Sequence, residues 1–397
     1  RFWVKIFALI FALGVATGIV MEFQFGMNWS VYSRYVGDVF GSALAAEGIL
    51  AFFLESTFLG ILVFGWNRVK PRTHFISTIM VALGAHLSAI WIVVANSWQQ
   101  TPAGHHIVDF GDGVRAEIVD FWQVVFNPSF LDRISHVYMG AWQAGAFLVV
   151  SVSAYYLLKG KHLEFAKKAM AIGLAIALFS SLGQLATGHS SAHTLAETQP
   201  AKLAALEGHY PASQPAGLYI LGWVNEEKQE TYGIKIPGLL SFMVHWDFDE
   251  PVIGLEAFPE DERPPINIVF QSYHLMVAIG FCLIFLSFLS VFALWKGFLT
   301  KSALLLKVLI ASVLLPQIAN QAGWMSAEIG RQPWVVYGLL KTSEAYSPSV
   351  SAGEVLASII IFSLVYLVMF GLFIFILFDK IKKGPVTDSP GGKAGLS

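Results

Sequence analysis

Long apolar runs alternate with short polar connections along nearly the whole chain. A helix needs about 20 mainly apolar residues to cross the hydrocarbon core of a bilayer. Backbone groups cannot stay unpaired in lipid, so runs of this length are expected to be helical. The pattern predicts an all-α protein, a polytopic transmembrane helical bundle with eight spans. The predicted spans are residues 5–22, 43–66, 74–97, 136–158, 167–188, 269–295, 302–323 and 353–378.

Four regions follow from this pattern. Residues 1–188 and 269–383 hold the spans, and residues 384–397 form a flexible cytoplasmic tail. The connection 189–268 is too polar to span a membrane, and a connection of this length is usually functional or disordered. Its apolar patches favour ordered packing on the membrane face.

Charge gives the orientation of the spans. Lysine and arginine follow the second, fourth, sixth and eighth spans, and the positive-inside rule makes that side cytoplasmic. The acidic connections lie on the other side. Only 13% of residues are charged, against roughly 25% in soluble domains, so much of the surface faces lipid. The net charge of −2 and the lack of a basic stretch give no sign of nucleic-acid binding.

Ionisable groups within a span are costly, and each is therefore a functional hypothesis. Glu47 and Glu55 share one predicted helix, with about 12 Å between them along its axis. Together with Ser88 on the next span, they could line a proton path. Glu47 could instead be a capping carboxylate, and Ser88 could simply be packed in its helix.

A second group of residues suggests a heme. His136 opens the fourth span, and Met276 lies just inside the sixth, so the topology places both at similar depth near the outer face. Neutral imidazole and thioether are the axial pair of a low-spin heme. His274 could support this site or compete as a ligand. A lone histidine at a helix end is also common at interfaces, and a lone methionine is common in a core.

The segment 320–334 places Trp324, Glu328 and Arg331 on one helical face. Glu328 could ligate iron, with the Trp324 ring against the macrocycle and Arg331 beside a propionate. The alternative is an interfacial tryptophan next to a surface ion pair.

The chain resembles subunit I of the cytochrome bd ubiquinol oxidases over nearly its whole length. The resemblance rests on a set of segments, including the regions of His136 and Met276. The others are ALGVATGIVMEFQFGMNWSVYSRYVGDVFG, AAEGILAFFLEST, VALGAHLSAIWIVVANSWQQTP, DEPVIGLE and AGWMSAEIGRQPW.

The resemblance implies a role for each of these residues. His136 and Met276 would bind a low-spin heme b, and Glu328 would ligate one of two high-spin hemes, a heme b and a heme d. Trp324, Arg331 and His274 would lie beside these cofactors. Glu47, Glu55 and Ser88 would carry protons to the oxygen-reducing centre. Residues 189–268 would be the quinol-binding loop in its short form, with Asp249, Glu250 and Glu256 as quinol-site candidates.

The resemblance also implies a reaction and a setting. The chain would oxidise ubiquinol or menaquinol at the outer face and reduce O2 to water with cytoplasmic protons. It would lie in the inner (cytoplasmic) membrane of a bacterium, with a second membrane subunit and a small accessory subunit. Two other functions stay open on the sequence: a related quinol oxidoreductase with a different acceptor, and a proton-coupled transporter that uses Glu47 and Glu55.

The sequence departs from the family pattern at three places. Family members have nine helices, and the first carries a histidine that ligates a high-spin heme. This sequence begins after that helix, so either the chain is truncated or that iron site is absent. His274 stands where some members have arginine, and Glu256 where some have lysine.

Overall fold

The computed structural model describes residues 1–111, 113–211 and 214–386. Within these ranges, eight helical segments are long and apolar enough to cross a membrane, which agrees with the predicted count. The predicted tail 384–397 lies outside the described residues from position 387 onward. The eight segments are Phe2–Asn28, Gly37–Phe64, Pro71–Gln100, Phe130–Leu158, Leu163–Thr198, Ile266–Trp295, Ala303–Ile329 and Ala352–Lys383.

Two of these segments are composite. A π-helical turn, Glu47–Phe52, joins α3 to α4, and residues 312–313 separate α12 from α13. The α-helices are α1 (Phe2–Asn28), α2 (Ser30–Tyr35), α3 (Gly37–Ala46), α4 (Phe53–Phe64), α5 (Pro71–Gln100), α6 (Phe121–Val125), α7 (Phe130–Leu158), α8 (Leu163–Thr198), α9 (Pro200–Glu207), α10 (Leu239–His245), α11 (Ile266–Trp295), α12 (Ala303–Ala311), α13 (Leu314–Ile329) and α14 (Ala352–Lys383).

The helices run beyond the predicted ends where polar side chains support another turn. α8 continues to Thr198 rather than ending at residue 188. Ser190 and Thr194 on these added turns both donate hydrogen bonds to the Asp132 carboxylate of α7. Hydropathy marks the end of the apolar run, whereas these hydrogen bonds allow the helix to continue outside it. His189 and His193, predicted in a connection, therefore lie in α8.

Three antiparallel hairpins were not predicted, because their strands are short. β3 and β4 pair from Leu218 with Ile236 to Asn225 with Glu230, with an irregular register after Tyr219. The strands are β1 (His105–Phe110), β2 (Gly113–Ile118), β3 (Leu218–Asn225), β4 (Glu230–Ile236), β5 (Trp334–Val336) and β6 (Leu340–Lys341).

The chain divides into two compact units. The first contains residues 1–33, 48–87 and the chain from residue 346. In this unit α1 packs against α14, and the Asn28 side chain donates a hydrogen bond of 3.0 Å to the Ser358 hydroxyl. Ser347 donates to the carbonyl of Met27 at 2.7 Å. Polar bonds of this kind hold membrane helices together where no hydrophobic force acts between them.

The second unit contains residues 34–47 and 88–345. Its main packing is α7 against α8, α11 against α13 and α8, and α12 against α7. Side-chain bonds join these pairs as well: the Gln143 amide donates to Ser181 at 2.8 Å, and the Ser272 and Ser326 hydroxyls lie 2.9 Å apart.

The connection after α8 is ordered rather than loose. Every residue of α9 after its first proline is buried. Leu206 packs with Val224 of β3, Leu255 and Phe270 of α11 in one apolar cluster. α9 ends at Gly208, whose φ of 60° is a left-handed conformation that glycine adopts at little cost. The connection therefore forms a small domain packed against helices of the second unit.

Candidate functional site

Glu328 accepts hydrogen bonds from three directions. Arg331 forms an ion pair with it at 2.7 Å, Asn96 of α5 donates at 3.0 Å, and Gln100 donates at 3.4 Å. The Arg331 side chain is 6% exposed and the Glu328 side chain 34%, so the arginine of this ion pair is buried while the carboxylate is partly accessible. The second terminal nitrogen of Arg331, Nη1, donates to the Gln99 amide oxygen at 3.1 Å.

Two further cations surround this pair. Arg133 of α7 donates to the Asn96 amide oxygen at 2.8 Å. Lys202 of α9 donates to the carbonyl of Ala327 at 2.7 Å and to Gln100 at 2.9 Å. Four elements (the end of α5, the start of α7, α9 and the end of α13) thus meet at this cluster.

The cluster has more positive than negative charge. Among the residues just described, Arg133, Lys202 and Arg331 face the single carboxylate of Glu328. Burial lowers the pKa of Lys202 well below its usual value, and the charges of Arg133 and Arg331 lower it further, while Glu328 opposes this. The buried Nε of Arg331 has no hydrogen-bond partner among the described residues. Such a cluster suits a bound anionic group.

His136 lies on α7 and faces α8. Its Nδ1 lies 3.0 Å from the hydroxyl of Thr187, which itself donates to the carbonyl of Gly183. This hydrogen bond fixes the imidazole through Nδ1 and leaves Nε2 as the nitrogen that could bind iron. A Cβ on Gly188 would lie 3.5 Å from His136 Cε1, so α8 packs directly against the ring.

Met276 lies on α11 and faces α13. A Cβ on Gly323 would lie 2.9 Å from the Met276 sulfur, a distance that a real side chain could not keep. Nearby, a Cβ on Gly140 would approach both Asn320 and Gln184 to 2.8 Å. Glycines at these positions leave room for the side chains of Met276, Asn320 and Gln184 next to the helix backbones. The donor types of His136 and Met276, an imidazole and a thioether, fit the axial pair of a low-spin heme.

Both ring nitrogens of His274 lie close to main-chain carbonyl oxygens. Its Nδ1 lies 2.8 Å from the carbonyl oxygen of Phe270, and its Nε2 lies 2.8 Å from that of Tyr219. The ring also stacks on Phe270, with 3.9 Å between ring centroids. His274 thus joins β3 to α11, and its predicted role as a supporting residue or rival iron ligand stays a prediction.

Trp324 lies one helical turn before Glu328 and is 40% exposed. Trp324 and Glu328 lie on α13, whereas Arg331 lies in the turn after the helix ends at Ile329, so the prediction that all three share one helical face is wrong for Arg331.

The predicted proton-path residues are partly brought together. Ser88 donates a hydrogen bond of 2.7 Å to Glu47, which opens the π-helical turn. π-Helical turns are frequent at functional sites. Glu55 belongs to the other unit and is 6% exposed. There a Cβ on Gly84 would lie 2.8 Å from the Glu55 Cβ, so the α5 backbone packs directly against Glu55.

The three predicted quinol-site acids are exposed. Asp249 lines a cavity of about 300 Å³ with Lys235 and Phe248. Glu250 lies 3.6 Å from Nδ1 of His245. The backbone N–H of Glu256 donates a hydrogen bond of 3.0 Å to the carbonyl of Tyr210.

Glu207, which sequence reasoning missed, is a buried acid in the same connection. It is 1% exposed, and it hydrogen-bonds the hydroxyl of Tyr273. Burial raises the pKa of Glu207 to about 7, although the Tyr273 bond opposes the shift. Its Oε2 and the Tyr210 hydroxyl are buried without a hydrogen-bond partner among the described residues.

The sequence did carry a signal for Glu207 and Lys202. Both interrupt the apolar pattern of AKLAALEGHY in a segment too short for a span. Asn96, Gln100 and Arg133 were missed too, because a single amide or guanidinium near a helix end is usually exposed to solvent.

The fold and site define a multi-pass helical membrane protein with an ionic cluster at the ends of its spans. The family model "Cytochrome bd terminal oxidase subunit I" matches residues 1–385. The chain therefore belongs to this family and is a subunit of a terminal oxidase.

Similar proteins agree with this. The chain is 38% identical to "Cytochrome bd ubiquinol oxidase subunit 1" of Bacillus subtilis, over 98% of this chain and 85% of the relative. It is 34% identical to "Cytochrome bd-II ubiquinol oxidase subunit 1" of Escherichia coli, over 97% and 87%. The bd oxidase structure from Geobacillus thermodenitrificans matches with a TM-score of 0.87 and 32% identity, over 96% of this chain and 87% of that one. The resemblance, fold class and enzyme class predicted from the sequence are confirmed, and the transporter alternative is not supported.

Proposed function

We propose that this chain is the heme-bearing subunit of a quinol:oxygen oxidoreductase. It takes electrons from ubiquinol or menaquinol and uses cytoplasmic protons to reduce O2 to water. The observation that carries the proposal is the cluster around Glu328, in which the guanidinium groups of Arg133 and Arg331 and the amine of Lys202 surround one carboxylate at the ends of membrane helices. A transporter would not need this excess of buried positive charge, whereas heme propionates would balance it.

Residues of this chain would ligate two of the three hemes expected in the enzyme. His136 and Met276 would ligate a low-spin heme b, with Thr187 fixing the imidazole. Glu328 would ligate one of two high-spin groups, a heme b and a heme d, beside Trp324. When bound, these hemes would supply electron transfer from quinol and the site at which O2 is reduced.

The cations would serve as partners for propionates. Arg331 offers an unpaired Nε, and Arg133 and Lys202 add charge from two other elements. Charge-assisted hydrogen bonds to carboxylates are about twice as strong as neutral ones. Arg133 and Arg331 would therefore bind and orient the cofactor as well as neutralise it.

Quinol oxidation would take place at the connection between α8 and α11. Quinol must lose protons as well as electrons, and Glu207 can accept a proton near neutral pH because its pKa is raised to about 7. The loop acids Asp249, Glu250 and Glu256 stay candidates for quinol contact. Their exposure suits an entrance to the site or a proton exit better than a buried base.

Protons for oxygen reduction would come from the cytoplasmic side through Glu55 and the hydrogen-bonded pair of Ser88 and Glu47. The basic connections support this orientation in a bacterial inner membrane. A second membrane subunit and a small accessory subunit would complete the enzyme.

The experiment that tests this function is a reduced-minus-oxidised spectrum of the purified full complex, with oxygen uptake measured on added quinol. We expect low-spin heme b and heme d bands and quinol-dependent uptake. Uptake without a heme d band would mean a different high-spin heme, and heme reduction without uptake would mean a different acceptor. A preparation with subunit I folded but no heme would contradict the proposal.

A further inference from the structure

A histidine pair near the end of α8 is used by none of the functions above. His189 and His193 are four residues apart on this helix, and their Nε2 atoms lie 3.3 Å from each other. The rings are nearly perpendicular, at 88°, with 4.7 Å between centroids. Both side chains are half-buried, so they are held in place but still reachable from solvent.

The distance between the two nitrogens is that of a metal site. Zinc binds histidine nitrogen at about 2.0–2.1 Å in a tetrahedral arrangement, which separates two such nitrogens by roughly 3.3 Å. Histidines at i and i+4 present both nitrogens on one helical face, as they do in helical zinc sites. We propose that His189 and His193 bind a divalent transition metal ion of the zinc or copper class, with water completing its coordination.

The surroundings of the pair support a fixed site. Asp132 of α7 accepts hydrogen bonds from Ser190 and Thr194, the residues that directly follow each histidine. These bonds hold this part of α8 in place and add a negative charge nearby, which favours a cation. Trp246 lies edge-on to His189, with 6.1 Å between ring centroids, and forms one side of the proposed site.

The site is separate from the proposed heme residues, because its ligands come from α8 alone. His136 contacts Thr187 and Gly188, on the turn of α8 before the histidine pair. Its Nδ1 is hydrogen-bonded to the Thr187 hydroxyl. A metal at the histidine pair would therefore stabilise the last turns of α8 without replacing a heme ligand.

Titration of the purified oxidase complex with zinc chloride tests the proposal, by isothermal calorimetry in a buffer free of chelators. We expect one saturable site of micromolar affinity. His189→Gln and His193→Gln should each weaken it at least tenfold. His162→Gln, at the opposite end of the same helix, should leave it unchanged.

A copper titration followed by electron paramagnetic resonance gives a second measurement. We expect hyperfine structure from two nitrogens, lost in either variant, while the heme spectrum shows that both variants are folded. Absence of saturable zinc binding up to millimolar concentration would mean that the pair is only a hydrogen-bonded contact. Equal zinc affinity in both variants and the native protein would overturn the proposal as well.

Discussion

Lys202 donates a hydrogen bond of 2.7 Å to the main-chain carbonyl of Ala327, the residue directly before Glu328. One bond therefore joins a short helix outside the membrane to the end of a spanning helix that carries the proposed iron ligand. The same ammonium reaches Gln100, which also donates to Glu328. The small domain and the ionic cluster are thus a single hydrogen-bonded assembly, and changes in one should reach the other.

The first prediction concerns this link. Lys202→Leu should lower quinol-dependent oxygen uptake at least tenfold, because it leaves the Ala327 carbonyl and the Gln100 oxygen without their donor. Oxygen uptake and the heme spectrum of the purified complex are the measurements. The exposed Lys228→Leu is the matched control. Full activity in Lys202→Leu would contradict the role given to this lysine.

The second prediction concerns the pH dependence of activity. Glu207 has its pKa raised to about 7, so the deprotonated form that accepts a proton from quinol accumulates as pH rises through 7. Quinol oxidation should therefore fall on the acid side of about pH 7. Glu207→Gln should be much slower and should lack this acid limb, whereas Glu227→Gln, an acid of the β3–β4 turn, should keep it. If Glu207→Gln kept the same acid limb, the titration of another group would cause that limb.

The same carboxyl also predicts a pH effect on stability. The folded pKa of about 7 exceeds the unfolded value near 4.5, so the folded state binds more protons between these pH values. Stability should fall as pH rises across this window, by roughly 3 kcal/mol at most. Thermal unfolding midpoints of native protein and Glu207→Gln at pH 5 and pH 8 measure this. The native midpoint should drop more than that of the variant, and parallel drops would mean that Glu207 does not cause the effect.

Sequence reasoning found residues whose position in a span made them unusual. Glu328 and Arg331 were placed together because helical spacing alone puts them on one face, and Glu47 and Ser88 because adjacent spans can bring them into contact. In the structure, Arg331 is hydrogen-bonded to Glu328, and Ser88 to Glu47.

The residues that were missed depend on tertiary packing. α9 is buried because α11 and β3 pack over it. The two charges within its apolar pattern hint at this burial, but the packing partners are distant in sequence, and sequence reasoning missed Lys202 and Glu207. The exposed acids Asp249, Glu250 and Glu256 were chosen instead, because a motif marked their segment and burial could not be seen.

The proton path leads to a graded prediction. Glu47→Gln should lower oxygen uptake strongly, since it removes the ionisable group, while Ser88→Ala should have a smaller effect because it removes one hydrogen bond of 2.7 Å. Ser42→Ala, whose hydroxyl donates to the Asp38 carbonyl in the same span, is the control. Proton uptake by the complex in vesicles measures the effect. A larger loss in Ser88→Ala than in Glu47→Gln would contradict the order of these roles.

The last prediction separates a ligand from its support. Met276→Leu should abolish or strongly alter the low-spin heme spectrum, because leucine has no sulfur to bind iron. Gly323→Ala should shift the spectrum less, since its new methyl group would lie 2.9 Å from the Met276 sulfur and must push that flexible side chain aside. Gly188→Ala should shift it least, because its methyl group would meet His136 at an ordinary 3.5 Å. Met325→Leu, on an exposed face of α13, is the matched control and should leave the spectrum unchanged. Optical spectra of the four purified complexes rank these effects, and an unaltered low-spin spectrum in Met276→Leu would exclude this methionine as the ligand.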